Sequence, residues 1–121
     1  MTIVIELPFS GADKSTVIWA NEEDKIDFMK EPARAARCTL SFAAVELKNH
    51  LSKIIDAEIV FASQSNGNDM RIKLDIQDSS SKNGAFIFEP LANGLIITGL
   101  GRAGVLYGTY EFLRIQGWRW L

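Results

Sequence analysis

The hydrophobic pattern of the first half of the chain predicts two strands and one amphipathic helix. Apolar runs rich in β-branched residues at 2–7 and 15–20 indicate strands. Residues 39–56 instead repeat apolar side chains at spacings of three and four, which predicts a helix with one apolar face. Pro32 can open a short helical turn before it, because proline suits the first position of a helix. The apolar stripe consists of Leu40, Ala44, Leu47, Leu51 and Ile54.

The second half of the chain predicts four strands followed by a second helix. Residues 71–76 alternate strictly, so that Ile72, Leu74 and Ile76 share one face. The last two strands are separated by a turn that contains Asn-Gly, which indicates an antiparallel hairpin. The predicted strands are 58–62, 71–76, 85–89 and 95–98, and the helix is 102–116.

This order of elements predicts an α+β fold. Consecutive strands without intervening helices favour an antiparallel or mixed sheet. We therefore expect residues 1–121 to form a single two-layer sandwich, with a mostly antiparallel or mixed sheet and two helices packed on one face. The helix at 102–116 is apolar almost all round, and a two-layer domain covers only one side of it. Its other side is expected to meet a partner, and the isolated domain is expected to dimerise through it.

Composition argues against nucleic-acid binding, a membrane span and cysteine-based sites. The chain has 121 residues and a net charge of −2, so it lacks the basic excess of nucleic-acid-binding proteins. No apolar run is long enough to cross a membrane, and no signal peptide is visible at the amino terminus. Cys38 is the only cysteine, which excludes an internal disulfide and a cysteine-based metal site.

Gly99-x-Gly101-x-x-Gly104 follows an apolar strand and opens a helix, as in the dinucleotide-binding fingerprint. That fingerprint belongs after the first strand of a parallel sheet, whereas here it follows the last strand of a sheet predicted to be antiparallel. We expect Gly99 and Gly101 to allow a sharp turn, and Gly104 and Gly108 to allow close packing of the helix. Nucleotide binding remains an alternative, which a parallel sheet with an open crevice at Gly101 would favour.

The residues with catalytic or metal-binding chemistry do not form a recognisable set. His50 is the only histidine, without a partner at a ligand spacing, so it is expected to be a partly exposed structural residue. The acidic residues are scattered, and no pair can be assigned as acid and base. We therefore predict no catalytic residue, cofactor or metal in this chain.

The aromatic run Trp118-Arg119-Trp120 is the strongest candidate for a functional surface. Tryptophan and arginine together are typical of interface hot spots and of sugar-binding subsites. We favour a seam with a following domain, because so aromatic an ending at 117–121 indicates that the polypeptide continues. The alternative is a stand-alone carbohydrate-binding module that stacks sugar rings on Trp19, Trp118 or Trp120.

Two segments resemble a known group of domains. "FAAVELKNHLSKIIDAEI" (42–59) and "GAFIFEP" followed by "GLIITGLGRAGVLYGTYEFLRIQGWRWL" (84–121) are similar to the domain preceding the catalytic barrel in family 67 alpha-glucuronidases. The family 20 beta-hexosaminidases carry a more distant version. The chain departs from the pattern at Arg102-Ala103-Gly104, where arginine is usually followed directly by glycine, and at Asp56-Ala57, where Thr-Gly is frequent.

The resemblance implies a non-catalytic accessory domain of a glycoside hydrolase. In these families the fold is a small sheet with two helices on one face, zincin-like but without metal. The catalytic carboxylates lie in the (β/α)8 barrel that follows, which would be the partner of this chain and would bind the carbohydrate. A periplasmic or secreted location is implied by the resemblance alone. The implied interface or substrate-proximal residues are Tyr107, Tyr110, Trp118, Arg119 and Trp120, of which Arg119 and Trp120 would lie nearest the substrate.

Overall fold

A computed structural model describes residues 2–22, 29–65, 68–77 and 84–119, with the side chains of the last helix described as far as Gln116. Five strands and three helices lie in this part of the chain. In chain order they are β1 (Thr2–Glu6), α1 (Ala12–Asn21), α2 (Pro32–Ile54), β2 (Glu58–Ala62), β3 (Met70–Gln77), β4 (Phe86–Leu91), β5 (Gly94–Leu100) and α3 (Gly101–Arg119).

The five strands form one mixed sheet in the order β2-β1-β3-β5-β4. β1 pairs in parallel with both β2 and β3, and β3 pairs in parallel with β5. Only the β4–β5 hairpin, whose two strands are joined by Ala92 and Asn93, is antiparallel among these pairings. The predicted α+β class, mixed sheet and hairpin are therefore confirmed, while the sheet is more parallel than its sequence pattern suggested.

The hydrophobic core lies between one face of the sheet and the helices. Ile5, Leu74 and Ile97 are fully buried at alternate positions of their strands, and the stripe of α2 packs over them together with Val105 of α3. Charged residues occupy several of the intervening positions, on the face directed away from the helices. These residues are Glu6, Arg71, Lys73, Asp75 and Glu89.

The predicted strand at 15–20 is wrong, because this segment belongs to α1. The described chain therefore has a third helix in addition to the two that were predicted. Ala12, Thr16 and Ala20 recur at spacings of four and are buried, so that these small side chains allow α1 to pack closely on α2. The Thr16 hydroxyl also donates a hydrogen bond to the Ala12 carbonyl within the helix. Tertiary burial of this stripe overrides the local β preference of the segment.

α2 is longer than predicted and begins at Pro32, seven residues before the expected start. Proline occupies the first turn, as the sequence suggested. Arg34 in this turn lies between two carboxylates, with Nη2 2.9 Å from Glu22 Oε2 and Nη1 3.3 Å from Glu31 Oε2. The predicted apolar stripe is confirmed, since Leu40, Ala44, Leu47 and Leu51 are all buried.

Candidate functional site

The turn between β5 and α3 shows what the glycine motif does. Gly101 has a φ of 75°, in the left-handed region that glycine adopts without steric cost. A Cβ on Gly99 would lie 2.0 Å from the Val105 nitrogen, and one on Gly104 would lie 2.2 Å from the Ala85 carbonyl oxygen. Gly101 therefore makes the turn, as predicted. Gly99 was expected to serve the turn as well, but it instead makes room for the backbone of α3.

The same turn gives no support to dinucleotide binding. β5 runs parallel to β3, which removes one objection from the sequence. In a dinucleotide site, however, the glycines leave room for a pyrophosphate beside the helix start. Here backbone atoms of this chain fill the space beside Gly99 and Gly104. The Leu100 amide also donates a 2.8 Å hydrogen bond to the Ala85 carbonyl, which closes the turn against the chain before β4.

An apolar groove of about 460 Å³ opens at the opposite end of the sheet. It lies at the amino ends of β1, β3 and β5, where Met70 and Leu95 contribute side chains. The last residues of α2 and α3 form its helical wall, through Leu51, Phe112 and Ile115. The sequence analysis missed this groove, because its walls come from six elements spread along the chain.

The side of α3 that faces the sheet carries small residues that pack closely, and its outer side carries large residues. Val105 and Thr109 are buried, and a Cβ on Gly108 would lie 2.9 Å from Ile97 Cγ2. This confirms the prediction that Gly104 and Gly108 allow α3 to approach the sheet. Tyr107 and Tyr110, by contrast, are 58% and 45% exposed.

The exposed tyrosines belong to a patch that we call the outer helix surface. It consists of Tyr107, Tyr110, Glu111 and Arg114 of α3 with Glu46 and His50 of α2. Arg114 and Glu111 form a bidentate ion pair, in which Arg114 Nη2 lies 2.5 Å from Glu111 Oε1 and Arg114 Nε lies 3.0 Å from Glu111 Oε2. The patch is therefore aromatic and charged rather than aliphatic.

Two groups of the outer helix surface have shifted acidities. Partial burial, followed by the nearby charge of Glu46, raises the pKa of Tyr110 above its ordinary value. The hydrogen bond from Arg114 lowers the pKa of Glu111 below its ordinary value. At neutral pH the patch therefore presents a tyrosine hydroxyl beside a carboxylate that is paired with arginine.

His50 lies at the edge of the outer helix surface as a half-exposed residue. Its Nδ1 is 2.8 Å from the Glu46 carbonyl oxygen and 3.6 Å from the Glu46 carboxylate. Among the described residues, no group of three or more histidine, cysteine, aspartate or glutamate side chains is arranged to hold a metal ion. The local contacts of His50 agree with the structural role expected for it.

The predicted site residues divide into two groups. Tyr107 and Tyr110 lie together on the outer helix surface, one turn apart. Trp118 and Arg119 belong to the last turn of α3, but their side chains lie outside the described part of the chain, as does the whole of Trp120. The seam predicted for Trp118-Arg119-Trp120 therefore stays a prediction.

Trp19 does not present a free ring. The edge of Phe9 packs against it at 5.2 Å between centroids and 85° between planes. The Arg37 guanidinium carbon lies 4.5 Å from the ring centroid, within the range of a cation–π contact. A sugar ring that stacked on this indole would have to displace contacts that already hold α1 against α2.

A buried ion pair lies on the sheet face directed away from the helices. Glu6 is only 7% exposed, and its carboxylate lies 3.5 Å from Arg71 Nη1 and 3.4 Å from the Ser65 hydroxyl. No local pattern indicates this pair, because its two charges are 65 residues apart. The pair links β1 to β3. It gives a structural explanation for Glu6, the one strongly buried carboxylate among the described residues.

No described helix is long and apolar enough to cross a membrane.

Arg102, which lies in the first turn of α3, contacts α2: its Nε donates a 2.7 Å hydrogen bond to the Thr39 hydroxyl. This arginine thus links the start of α3 to the middle of α2, and its place in the glycine motif has a structural explanation.

Comparison with known proteins identifies a fold neighbour. No protein-family model matches the sequence, and no curated protein matches it. Among solved structures, the chain is similar to a GH138 enzyme targeting pectin rhamnogalacturonan II, with a TM-score of 0.65 and 18% sequence identity. The match covers 98% of this chain and 14% of that chain, so the chain spans a small part of the enzyme's length. At this identity the likeness shows a shared fold.

Proposed function

We propose that this chain is a non-catalytic α+β module of a glycoside hydrolase, which braces a catalytic domain of the same polypeptide. The observation that carries the proposal is the fold likeness to a GH138 enzyme, which extends over 98% of this chain but only 14% of that enzyme. A fold that accounts for so small a part of a long enzyme is what an accessory module would resemble. The sequence motifs at 84–121 point independently to the same class of domain.

The finer assignment rests on those motifs alone. They favour a parent enzyme similar to the family 67 alpha-glucuronidases, or more distantly to the family 20 beta-hexosaminidases, with a (β/α)8 barrel after this module. Carbohydrate would be bound and cleaved in that barrel. On this hypothesis Trp118, Arg119 and Trp120 lead toward the barrel, and Arg119 and Trp120 are the residues of this chain nearest the substrate.

The outer helix surface is the part of the module best suited to contact the barrel. Tyr107 and Tyr110 offer large rings with a polar end, which are enriched at protein interfaces. The glycines of α3 hold the helix close to the sheet, so these rings project from a rigid support. Contacts between domains of one chain are commonly polar in part, which agrees with the Glu111–Arg114 pair beside the rings.

The first test is activity of the 121-residue chain on its own. We expect the purified chain to release no p-nitrophenol from a panel of aryl glycosides that includes glucuronides, N-acetylhexosaminides and rhamnosides. Measurable turnover that scales with chain concentration and persists through a second purification would overturn the non-catalytic assignment.

The second test examines the interface in the longer polypeptide encoded by the same gene. Exchange of Tyr107 and Tyr110 for serine should lower the melting temperature of the whole protein more than that of the 121-residue chain, measured at a concentration at which the isolated chain is monomeric. The matched control is Ile87→Ser, which changes an equally exposed residue on the other side of the sheet. Equal effects of the tyrosine exchanges in both contexts would contradict a bracing role for the outer helix surface.

A stand-alone carbohydrate-binding module is the second candidate, supported only by the tryptophan content of the chain. Its distinguishing property is saturable binding of free sugars by the 121-residue chain. Titration with pectic and xylan-derived oligosaccharides, followed by tryptophan fluorescence, separates the two functions. A saturable change in emission would favour sugar binding, whereas an unchanged spectrum supports the bracing role.

A further inference from the structure

The apolar groove at the amino ends of β1, β3 and β5 is an opening into the hydrophobic core. Its floor includes Ile72, and its helical wall includes Leu51 of α2 and Phe112 of α3. Ile72 and Leu51 are themselves members of the core cluster, while Phe112 packs against that cluster. At about 460 Å³ the groove has the size of a small-molecule site, yet Arg71 and Gln116 are the only polar residues among those that line it in the described part of the chain. A groove of this kind is stabilised when an apolar group fills it.

The position of α3 indicates which group that is. Phe112, Ile115 and Gln116 line the groove from the last turns of this helix, whose backbone continues to Arg119. The residues that follow in the sequence are Gly117, Trp118, Arg119, Trp120 and Leu121. Side chains on a helix tilt toward its amino end, and the backbone of α3 starts this segment at the helical wall of the groove.

We propose that the groove is the docking site of this chain's own segment Trp118–Leu121. An indole and a leucine side chain supply the large apolar surface that the groove lacks, and they belong to the segment that leaves its wall. Docking there covers the open end of the core. The inference goes beyond the proposed function and narrows it, because a tryptophan that docks in the groove packs within this chain, and only the rest of the run Trp118-Arg119-Trp120 is then left to contact a barrel.

Single-tryptophan variants of the 121-residue chain test the proposal. W19F/W118F retains Trp120, and W19F/W120F retains Trp118. We expect at least one of them to show blue-shifted emission and several-fold weaker acrylamide quenching than in the same chain unfolded in urea. Solvent-like emission and quenching of both tryptophans would overturn the proposal.

A charge placed at the groove mouth tests the location. Met70 lines the groove and is 48% exposed, whereas Ile87 is 52% exposed on the opposite face of the sheet. In the variant that shows protection, M70K should restore strong quenching, and I87K should leave quenching weak, with unchanged far-ultraviolet circular dichroism in both. Protection that survives M70K would place the tryptophan elsewhere and overturn the assignment.

Two other occupants are outcomes of the same measurements. A second copy of the chain would make the protection disappear at low protein concentration, whereas intramolecular docking gives protection independent of concentration. If the segment does not dock and the groove is a small-molecule site, 8-anilinonaphthalene sulfonate should bind equally to the unaltered chain and to W118A/W120A. The proposal requires the dye to bind several-fold more strongly to W118A/W120A, and equal binding would overturn it.

Discussion

Three glycines, one near the end of β5 and two in α3, show how single residues set the position of the candidate surface. A Cβ on Gly99 or Gly104 would collide with backbone atoms, which cannot move without shifting a strand or the helix. A Cβ on Gly108 would meet mainly the side chains of Ile97 and Phe86. These positions therefore differ in how costly an added methyl group is, although the sequence presents them as equivalent glycines.

Alanine substitutions at Gly104 and Gly108 measure this difference. Gly104→Ala should lower the free energy of unfolding by about 2 kcal/mol or more, because it overpacks a contact with backbone. Gly108→Ala should cost clearly less, because side chains can adjust and alanine gains up to about 1 kcal/mol in helix propensity. Urea denaturation followed by circular dichroism checks both. Equal losses at the two positions would show that α3 is not held by the contact at Gly104.

The raised pKa of Tyr110 gives a second prediction at the scale of residues. In a Tyr107→Phe background, the phenolate absorbance of Tyr110 should appear at a higher pH than that of a free tyrosine, near 10. Glu46→Gln should lower this pKa part of the way, because it removes the charge but leaves the burial. Asn49→Asp, a new charge on the exposed side of α2, serves as a control for general electrostatic effects.

The sign of the linkage follows from the direction of the shift. The folded state favours neutral Tyr110, so its contribution to stability is present below the ordinary tyrosine pKa and is lost as the pH rises through the raised value. Thermal melts at neutral and at high pH should therefore show a smaller fall in melting temperature at high pH for Tyr110→Phe than for the unaltered chain. An identical pH dependence would contradict the shift.

At the scale of elements, α1 shows where local preference and tertiary packing disagree. Its segment contains β-branched residues and a tryptophan, which predict a strand, but Val17 and Ile18 are more than half exposed while Ala12 and Thr16 are buried. The small residues at spacings of four were visible in the sequence. Their spacing favours a helix only when a second helix packs against them, and α2 is that helix.

Substitutions on the two sides of α1 test this explanation. Ala12→Leu should lower the free energy of unfolding by about 1–3 kcal/mol, because the buried position has no room for a larger side chain. Ile18→Ala is a change of similar size in the opposite direction, but it should change stability by no more than about 0.5 kcal/mol, because the residue is exposed. A larger loss for Ile18→Ala would indicate that the outer side of α1 is covered.

At the scale of the whole molecule, the helices leave one surface that is suited to a partner. The outer helix surface combines two exposed tyrosines with a strong ion pair, and it lies on the side of α3 opposite the sheet. In the proposed parent enzyme this surface would be covered by the catalytic domain. In the isolated chain it would be exposed to other copies.

We therefore expect the 121-residue chain to dimerise through this surface. Light scattering after gel filtration should give a mass that falls from dimer toward monomer on dilution. Exchange of Tyr107 and Tyr110 for serine should weaken the dimer by at least tenfold, because interface energy concentrates in buried aromatic residues. Val17→Ser, at an equally exposed position on α1, should leave the dimer intact. A chain that is monomeric at every concentration would contradict this prediction.

Much of the fold could be predicted because its signals are local. The stripe of α2, the alternation in β3 and the β4–β5 hairpin each follow from spacings within one segment, which fix a helical or extended period. That one side of α3 would stay uncovered followed from the same kind of reasoning, since a helix that is apolar all round has a side that a small domain cannot cover. The structure then identified Tyr107 and Tyr110 as exposed residues of that side. Gly108 was assigned to helix packing by its spacing from Gly104.

The tertiary structure alone decided what depends on distant segments meeting. It placed β1 between β2 and β3 in parallel, made a helix of residues 12–21, and brought Glu6 to Arg71 on the helix-free face. It also opened the groove, whose walls come from six elements. The sequence by itself determined the period of most elements and the presence of an uncovered side on α3. Strand order, the separate roles of the glycines and the groove depend on long-range packing, which no local pattern encodes.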